Sequence, residues 1–179
     1  MKYSNKKIGY VWAAQNEERG EGSHLFFEKN KIYSWGYHFE IARILDFPQG
    51  KIVLFTNKGY SNSTAKHKAC VYYAIANMQV FTVPNFEILD NKNAHKENLE
   101  YMYKTTIEER NKVLRKRTRS AYDEERVLKM REEFFSYAHF FKLKIKAVEK
   151  ETLENLFPDP NPFKQAIKDA IKKAEDIKQ

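Results

Sequence analysis

The feature that most constrains the fold is a change of hydrophobic period near residue 85. Before that point, β-branched and aromatic residues occur in short runs, which is typical of strands. After it, apolar residues recur every three or four positions through long stretches rich in Glu, Lys and Arg, which is typical of helices. We therefore predict an α+β protein with two regions. Residues 1–85 form an antiparallel β-sheet with one packed helix, and residues 86–179 form a helical region.

Five strands and one helix are predicted in the first half. The strands cover residues 8–13, 24–29, 31–45, 51–56 and 79–83, and the helix runs from about residue 63 to 78. Asn30 lies in the tight turn of a hairpin. Alternation along the long third strand predicts a core face and an opposite polar face. The core face would carry Tyr33, Trp35, Tyr37, Phe39 and Ile41, and the polar face Ser34, Gly36, His38 and Glu40.

Long helices are predicted at residues 91–117 and 120–148, and the Pro-rich fragment 157–163 precedes a last amphipathic helix. The aromatic run EEFFSYAHFFKLKIK lies in the second of these helices. It either packs on the sheet domain or provides a dimer or partner surface, and it is compatible with a homodimer. The segment 111–119 holds five basic residues and either contacts an RNA backbone or is a solvated helix end.

The net charge of +8 favours a polyanionic partner such as RNA, although a Lys-rich source genome would also raise the charge. The uncompensated charge lies mainly in residues 1–85, which carry 11 Lys and Arg against 6 Asp and Glu. No apolar run approaches the roughly 20 residues that a membrane span needs, and no signal peptide is seen. With its one cysteine, Cys70, the chain is expected to be cytoplasmic, without a membrane partner.

The stretch GYSNSTAKHKAC, residues 59–70, predicts a helix start that is able to hold an anion. Four capping residues in a row exceed what one helix needs, so free backbone amides and the helix dipole remain to bind a phosphate. Gly59 permits a positive φ or a close approach to a ligand. Ordinary capping is the alternative interpretation. The phosphate-binding candidates are Lys58, Gly59, Tyr60, Ser61, Ser63, Thr64 and Lys66.

Two histidines are candidates for acid–base chemistry. His67 lies in the first turns of the predicted helix, where the dipole favours a neutral imidazole that can accept a proton. His38 lies two residues from Glu40, which could fix its tautomer. For each residue, a structural role is the alternative interpretation.

Together with Lys66 and Lys58, these residues match metal-independent RNA cleavage. In that reaction one imidazole takes the proton of the 2′-OH and the other protonates the leaving oxygen, while Trp12 and Trp35 are candidates for stacking on bases. No metal or cofactor is expected. The alternative from another class is a module that binds nucleic acid without cleaving it.

The motifs YSWGYHFEIA and LFTNKGYSNSTAKH resemble a pattern, YxxGxHFxIA followed by LFTxxGYSxxTxKH, of small proteins of unknown function carried by phages and plasmids. Some anti-CRISPR proteins that act on Cas9 and its guide RNA are similar in size and in this N-terminal pattern. The resemblance implies inhibition of Cas9, through cleavage of the guide RNA or by stoichiometric blocking of the ribonucleoprotein. It covers roughly residues 8–80 and makes Gly36, His38, Gly59, Tyr60, Ser61, Thr64, Lys66 and His67 the family positions.

Overall fold

The computed structural model describes residues 2–59, 61–91 and 93–157. Residues Met1–Leu143 form one compact unit, which holds the sheet and the helices α1 to α4, and residues Lys144–Gln179 form a second unit that includes α5. The predicted boundary at residue 85 thus falls inside the first unit. The helices are α1 Asn5–Ala14, α2 Asn62–Ala74, α3 Ala94–Arg115, α4 Ala121–Phe140 and α5 Ala147–Glu154. The strands are β1 Arg19–Glu21, β2 Leu25–Glu28, β3 Lys31–Ser34, β4 Glu40–Phe47, β5 Gly50–Thr56 and β6 Gln79–Val83.

The six strands form one mostly antiparallel sheet in the order β1-β2-β3-β4-β5-β6. Strands β1 to β5 follow one another as antiparallel neighbours, and β6 joins β5 in parallel after the α2 crossover. The predicted hairpin around Asn30 is present, with Leu25 opposite Ser34. This architecture confirms the predicted α+β class.

Helices cover both faces of the sheet. On one face, α1 and α2 bury Ile8, Trp12 and Val71 in the core that contains the sheet residues Phe27 and Ile44. On the other face, the aromatic run of α4 packs on the sheet: the ring centroids of Tyr137 and Phe81 are 5.1 Å apart, and those of Phe140 and Phe47 are 5.6 Å apart. The aromatic residues of α4 therefore serve the core of this chain.

The predicted first strand, residues 8–13, is wrong, because these residues lie in α1. Ser4 caps this helix by accepting a hydrogen bond from the Lys7 amide, and Gln15 ends it in the left-handed conformation at φ 54°. Ile8 and Trp12, four residues apart, are both fully buried. That spacing is helical and has more weight than the β-propensity of the individual residues.

The predicted long strand, residues 31–45, is also wrong, because a turn interrupts it. β3 ends at Ser34 and β4 begins at Glu40. The pairing of β3 with β4 then shifts register at Ile32/Tyr33, so that Ile41 and Ala42 both enter the core cluster next to Ile32. The predicted alternation of faces therefore does not hold beyond Ser34.

The helix α2 begins at the predicted place but ends at Ala74, earlier than predicted. Its buried positions are Thr64, His67, Val71 and then Ile75, with spacings of three and four residues. Ala65 and Ala69, which the hydrophobic pattern places on the buried stripe, are exposed.

The long helices of the second half are observed as α3 and α4, and the predicted helix after residue 163 lies outside the described residues. In the part of the chain that the structure describes, no helix combines the length and the apolar character that crossing a membrane requires.

Candidate nucleic-acid interface

The turn between β3 and β4, residues 35–39, carries the most exposed aromatic surface next to predicted site residues. Phe39 donates its amide to Gly36 O at 3.2 Å, and Ser34 donates to Phe39 O at 3.0 Å, which closes the turn. Trp35 has φ 64°, in the left-handed region that a bulky side chain rarely adopts. A strained residue of this kind persists only where its surroundings hold it, and such positions concentrate at functional sites.

Trp35 is held by a stacking partner that comes from the neighbouring strand end. Its ring lies on the imidazole of His24, with a centroid distance of 3.7 Å and an interplanar angle of 18°. Its amide also donates to the His24 carbonyl at 2.8 Å. The outer side of the indole remains open, because 51% of Trp35 is exposed.

Tyr37 extends this aromatic surface. It is 60% exposed and contacts Phe26 and Tyr33 edge to face, with centroids 5.0 and 5.2 Å away. A cavity of about 380 Å³ lies between these rings and the end of β1, where Arg19 contributes a guanidinium. We call the exposed set of His24, Trp35 and Tyr37 the aromatic surface.

His67 lies below this surface and is buried. Its Nδ1 atom is 2.7 Å from Ser34 Oγ, and its Nε2 atom is 3.3 Å from Asn5 Nδ2. Asn5 Oδ1 accepts a hydrogen bond from the Ser23 amide, which turns the Asn5 amide nitrogen toward His67. His67 Nε2 therefore accepts and Nδ1–H donates to Ser34, so the imidazole is neutral. Burial lowers the pKa of His67, and the nearby charge of His24 lowers it further.

His38 occupies a different environment. It is exposed on a polar cavity of about 400 Å³ that Glu40, Lys58 and Asn85 also line. Its ring packs over Gly36, where an added Cβ would lie only 2.9 Å from Nδ1. A side chain at position 36 would require this exposed imidazole to shift.

Glu40 does not orient His38, contrary to its predicted role. Its two oxygens accept hydrogen bonds from Arg43 Nε at 2.7 Å and Arg43 Nη2 at 2.9 Å. Arg43 also binds Glu87 at 2.8 Å and lies over the Phe86 ring. Hydrogen bonding to Glu40 raises the pKa of Arg43, so this largely buried cation stays charged and offsets one of the two carboxylate charges beside the cavity.

At the start of α2, the capping residues already hydrogen-bond to each other, while a charged side chain remains exposed. Ser61 Oγ accepts from the Thr64 amide at 3.2 Å and lies 3.1 Å from Thr64 Oγ, so these two predicted phosphate ligands bind each other. Ser63 and Lys66 are exposed. Gly59 does not adopt a positive φ, and nothing lies within 4 Å of a Cβ placed there. The prediction for Tyr60 falls outside the described residues.

The helical layer on this face is uniformly basic. Gly9 of α1 allows close packing on α2, since its added Cβ would lie 3.2 Å from Cys70 O and 3.2 Å from Ala74 Cβ. Asn5 meets His67 near the start of both helices, so their amino ends lie on the same side. Neither helix contains an acidic residue, and residues 47–86 contain lysines but no Asp or Glu: Lys51, Lys58, Lys66 and Lys68.

The structure thus separates the predicted residues into two groups. His38, Glu40 and Lys58 share the polar cavity, and Trp35 lies above His67 at a ring distance of 6.2 Å. A buried imidazole with both ring nitrogens hydrogen-bonded is not placed to exchange a proton with an RNA hydroxyl. The prediction that Trp12 stacks on bases is wrong, because Trp12 is fully buried in the core and cannot reach a base.

Two members of the aromatic surface, His24 and Tyr37, were not among the predicted site residues: His24 was considered only as a residue that could line the same edge, and Tyr37 was assigned to the core. For His24 the sequence held a usable signal. A hairpin that pairs Leu25 with Ser34 places residue 24 opposite residue 35, so the turn at Asn30 already puts His24 beside Trp35. For Tyr37 the assumed strand alternation gave the opposite answer, because it assigned this side chain to the core.

Comparison with protein-family models, with curated proteins and with solved structures finds no match for this chain. Within the described residues, no group of three or more His, Cys, Asp or Glu side chains is arranged to hold a metal ion.

Proposed function

We propose that this chain is an RNA-binding protein that stacks unpaired bases on its aromatic surface. The observation that carries the proposal is the conformation of Trp35, a half-exposed indole held at a strained backbone position by a stacked imidazole. A tryptophan that served only packing would bury its ring and would need no left-handed backbone. Both rings of the stack present flat surfaces, as single-stranded nucleic-acid sites do.

The polar cavity next to the turn supports a phosphate beside the stacked base. Tyr37 lines both this cavity and the cavity next to Trp35, so the two adjoin at one side chain. Arg43 pairs with Glu40 and Glu87 and offsets one of their two negative charges, and no acidic partner of Lys58 is found among the described residues. A base on Trp35 and a phosphate near Lys58 and His38 would place one nucleotide across the turn.

The charge of the surrounding face supports a polyanion as the ligand. The α1–α2 layer carries Lys6, Lys7, Lys66 and Lys68 without an acidic residue. Lysines of this kind release counterions from a nucleic-acid backbone and give affinity without sequence preference. The aromatic surface then selects unpaired bases, whose faces are accessible.

Binding without cleavage agrees with the geometry better than the ribonuclease alternative. Cleavage of RNA by two histidines requires that both imidazoles reach the reacting phosphate. His67 is 6% exposed and occupied by Ser34 and Asn5. His38 remains available as a ligand for phosphate, and we assign it that role.

The sequence resemblance suggests the biological target. We propose that the RNA is the guide of a Cas9 ribonucleoprotein and that occupation of this RNA inhibits DNA cleavage. The resemblance in YSWGYHFEIA and LFTNKGYSNSTAKH is the support for this target, and both motifs contribute residues to the site described above.

The first test is binding of a short, unstructured, fluorescently labelled RNA, measured by anisotropy. Trp35→Ala is expected to weaken binding about tenfold or more, since a stacked base contributes roughly 1–3 kcal/mol. Tyr72→Ala is the matched control, because Tyr72 is a similarly exposed aromatic residue (54%) on α2, outside the turn. Equal affinities of the two variants would refute the assignment of the aromatic surface.

The second test separates binding from cleavage and examines the proposed target. Labelled guide RNA is incubated with the protein in EDTA, with and without Cas9, and DNA cleavage is then assayed. Intact RNA with reduced DNA cleavage, restored by Trp35→Ala, is expected. Truncated RNA that disappears in His38→Ala would show catalysis, and unaffected DNA cleavage would exclude Cas9 as the target.

A further inference from the structure

The end of the α3–α4 helical hairpin carries arginines that no structural role explains. Several basic side chains near this end are already paired: Lys112 with Glu109, Lys116 with Asp123, and Arg126 with Glu109. Three exposed arginines are not. In residues 2–59, 61–91 and 93–157, no carboxylate forms an ion pair with Arg115, Arg117 or Arg119. We call these three residues the arginine tip.

Hydrogen bonds hold both ends of the loop that carries Arg117 and Arg119. Ser120 and Asp123 form a reciprocal capping box, and Lys116 donates to Asp123 Oδ1 at 2.5 Å. Hydrogen bonds from Lys116 and from Ser120 lower the pKa of Asp123 to about 2, so this carboxylate stays charged at any physiological pH. Arg117 and Arg119 therefore project from a preorganised loop and Arg115 from the end of α3, which reduces the entropy lost on binding.

The chemistry of the tip fits phosphate. A guanidinium presents a planar fork of donors that matches phosphate oxygens, and it is less strongly hydrated than an ammonium. Tyr122 adds an aromatic ring that is 72% exposed just past the loop. Exposed aliphatic residues, which a membrane or an apolar protein groove would require, do not accompany the arginines in residues 115–120.

The position of the tip determines which part of an RNA it can reach. The hairpin crosses the sheet edge at β6, where Glu133 Oε1 accepts from the Thr82 amide at 2.5 Å and Thr106 shares a cavity with Thr82. From Thr106, α3 continues nine residues to Arg115, about 14 Å at 1.5 Å per residue. The distance across the sheet from β3 to β6 adds roughly 14 Å.

We infer that the arginine tip binds the phosphate backbone of a double-helical RNA segment that flanks the bases held by the aromatic surface. The separation lies between roughly 14 Å, the distance across the sheet alone, and roughly 28 Å, the sum of the two lengths; it exceeds the reach of the nucleotide at the turn and corresponds to several base pairs of duplex. Two strands also present more phosphate charge to a single loop than one strand does. This inference rests on the proposed function and specifies its ligand as a stem with an unpaired tail.

The experiment compares two labelled RNAs, a stem–loop with a single-stranded tail and the tail alone, over a range of salt concentrations. The variant Arg115→Gln/Arg117→Gln/Arg119→Gln is made in the full chain. For the tailed stem–loop, the slope of log K against log salt is expected to decrease in magnitude by about 2 or more, since each phosphate contact contributes about 0.9. For the tail alone, the slope is expected to be unchanged.

The matched control removes the same charge from paired residues of the same two helices, Lys96→Gln/Lys104→Gln/Lys129→Gln. Each of these lysines lies four residues from the glutamate that it pairs with. Equal slopes for the two triple variants on the tailed stem–loop would overturn the inference, and so would an equal loss on the tail alone. The variant Trp35→Ala distinguishes a failure of this inference from a failure of the proposed function. If it weakens the binding of neither RNA, the proposed function itself fails.

Discussion

The Nδ1 atom of His67 lies 2.7 Å from Ser34 Oγ, in a hydrogen bond that joins residues 33 positions apart. Ser34 is the last residue of β3, so this bond ties the first turns of α2 to the strand that leads into Trp35. Asn5 holds the other ring nitrogen and thereby adds α1 to the same junction. His67 is therefore a positioning residue, which supports the aromatic surface from below.

Loss of this hydrogen bond should destabilise the fold. In Ser34→Ala the buried Nδ1–H loses its partner, and we expect a decrease of about 1–3 kcal/mol in the free energy of unfolding. Urea denaturation measures this decrease in the free energy of unfolding. Ser63→Ala, at an exposed position near the start of the same helix, should stay within about 0.5 kcal/mol of the wild type. A loss no larger than in Ser63→Ala would show that the bond does not contribute.

Stability should also decrease as the pH falls below about 6.5, the pKa of an unfolded histidine. Burial lowers the pKa of both His67 and His95 in the folded protein. Between the unfolded and folded pKa values, the unfolded chain binds protons that the folded chain does not, so acid favours unfolding. Each histidine contributes a slope of at most about 1.4 kcal/mol per pH unit.

The measurement is urea denaturation between about pH 8 and pH 5, within the range where histidine titrates. His67→Gln should reduce the slope below pH 6.5 relative to the wild type. A slope equal to that of the wild type in His67→Gln would contradict the assignment of a neutral buried imidazole.

The sequence predicted the elements whose periodicity is governed by apolar side chains. Strands β2, β5 and β6 and helix α3 lie close to their predicted positions, and α4 begins as predicted but ends at Phe140 rather than at residue 148. The strands bury mainly Leu, Ile, Val and Phe, whereas α3 buries Asn98 and Thr106 as well as Met102 and Val113. Individual buried positions were predicted less well where polar residues fill the core. The buried face of α2 includes Thr64 and His67, and their burial depends on partners in α1 and β3 that no local pattern reveals.

Part of the candidate site was also predicted from the sequence, and part was missed. His38, Glu40 and Lys58 were expected in one site and line one cavity, because the turn and the end of β5 meet at the same edge. The turn itself could not be read from alternation, since Trp35 adopts the left-handed conformation that propensity assigns to Gly or Asn. Only Gly36 indicated an interruption, and that glycine was interpreted as a strand residue near a ligand.

Arg43 should be essential for stability, because it pairs with two carboxylates. Its side chain is 9% exposed, and that of Glu40 is 17% exposed. Arg43→Met leaves Glu40 largely buried without a counter-ion, so we expect a loss of roughly 3 kcal/mol in the free energy of unfolding. Adding Glu40→Gln should recover part of this loss, which a double-mutant cycle measures. Absence of recovery would indicate that lost packing, not the unpaired charge, dominates.

Replacement of Trp35 by glycine and by alanine should differ in the effect on stability but not in the effect on RNA binding. The left-handed conformation costs a residue with a Cβ roughly 1–2 kcal/mol, whereas glycine adopts it without steric cost. We therefore expect Trp35→Gly to be more stable than Trp35→Ala by about 1 kcal/mol in urea denaturation. Both variants lack the indole, so both should bind unstructured RNA about tenfold more weakly than the wild type or worse.

The stabilities of these two variants show whether the backbone at position 35 remains strained when the indole is absent. Gly59, in the loop before α2, provides the matched control: it has no positive φ and nothing within 4 Å of an added Cβ, so Gly59→Ala should not destabilise the fold and should leave binding unchanged. Equal stability of Trp35→Gly and Trp35→Ala would mean that the backbone at position 35 relaxes once the indole is removed. Then the stack on His24 alone would hold the turn in its strained form, and His24→Ala should release it as well.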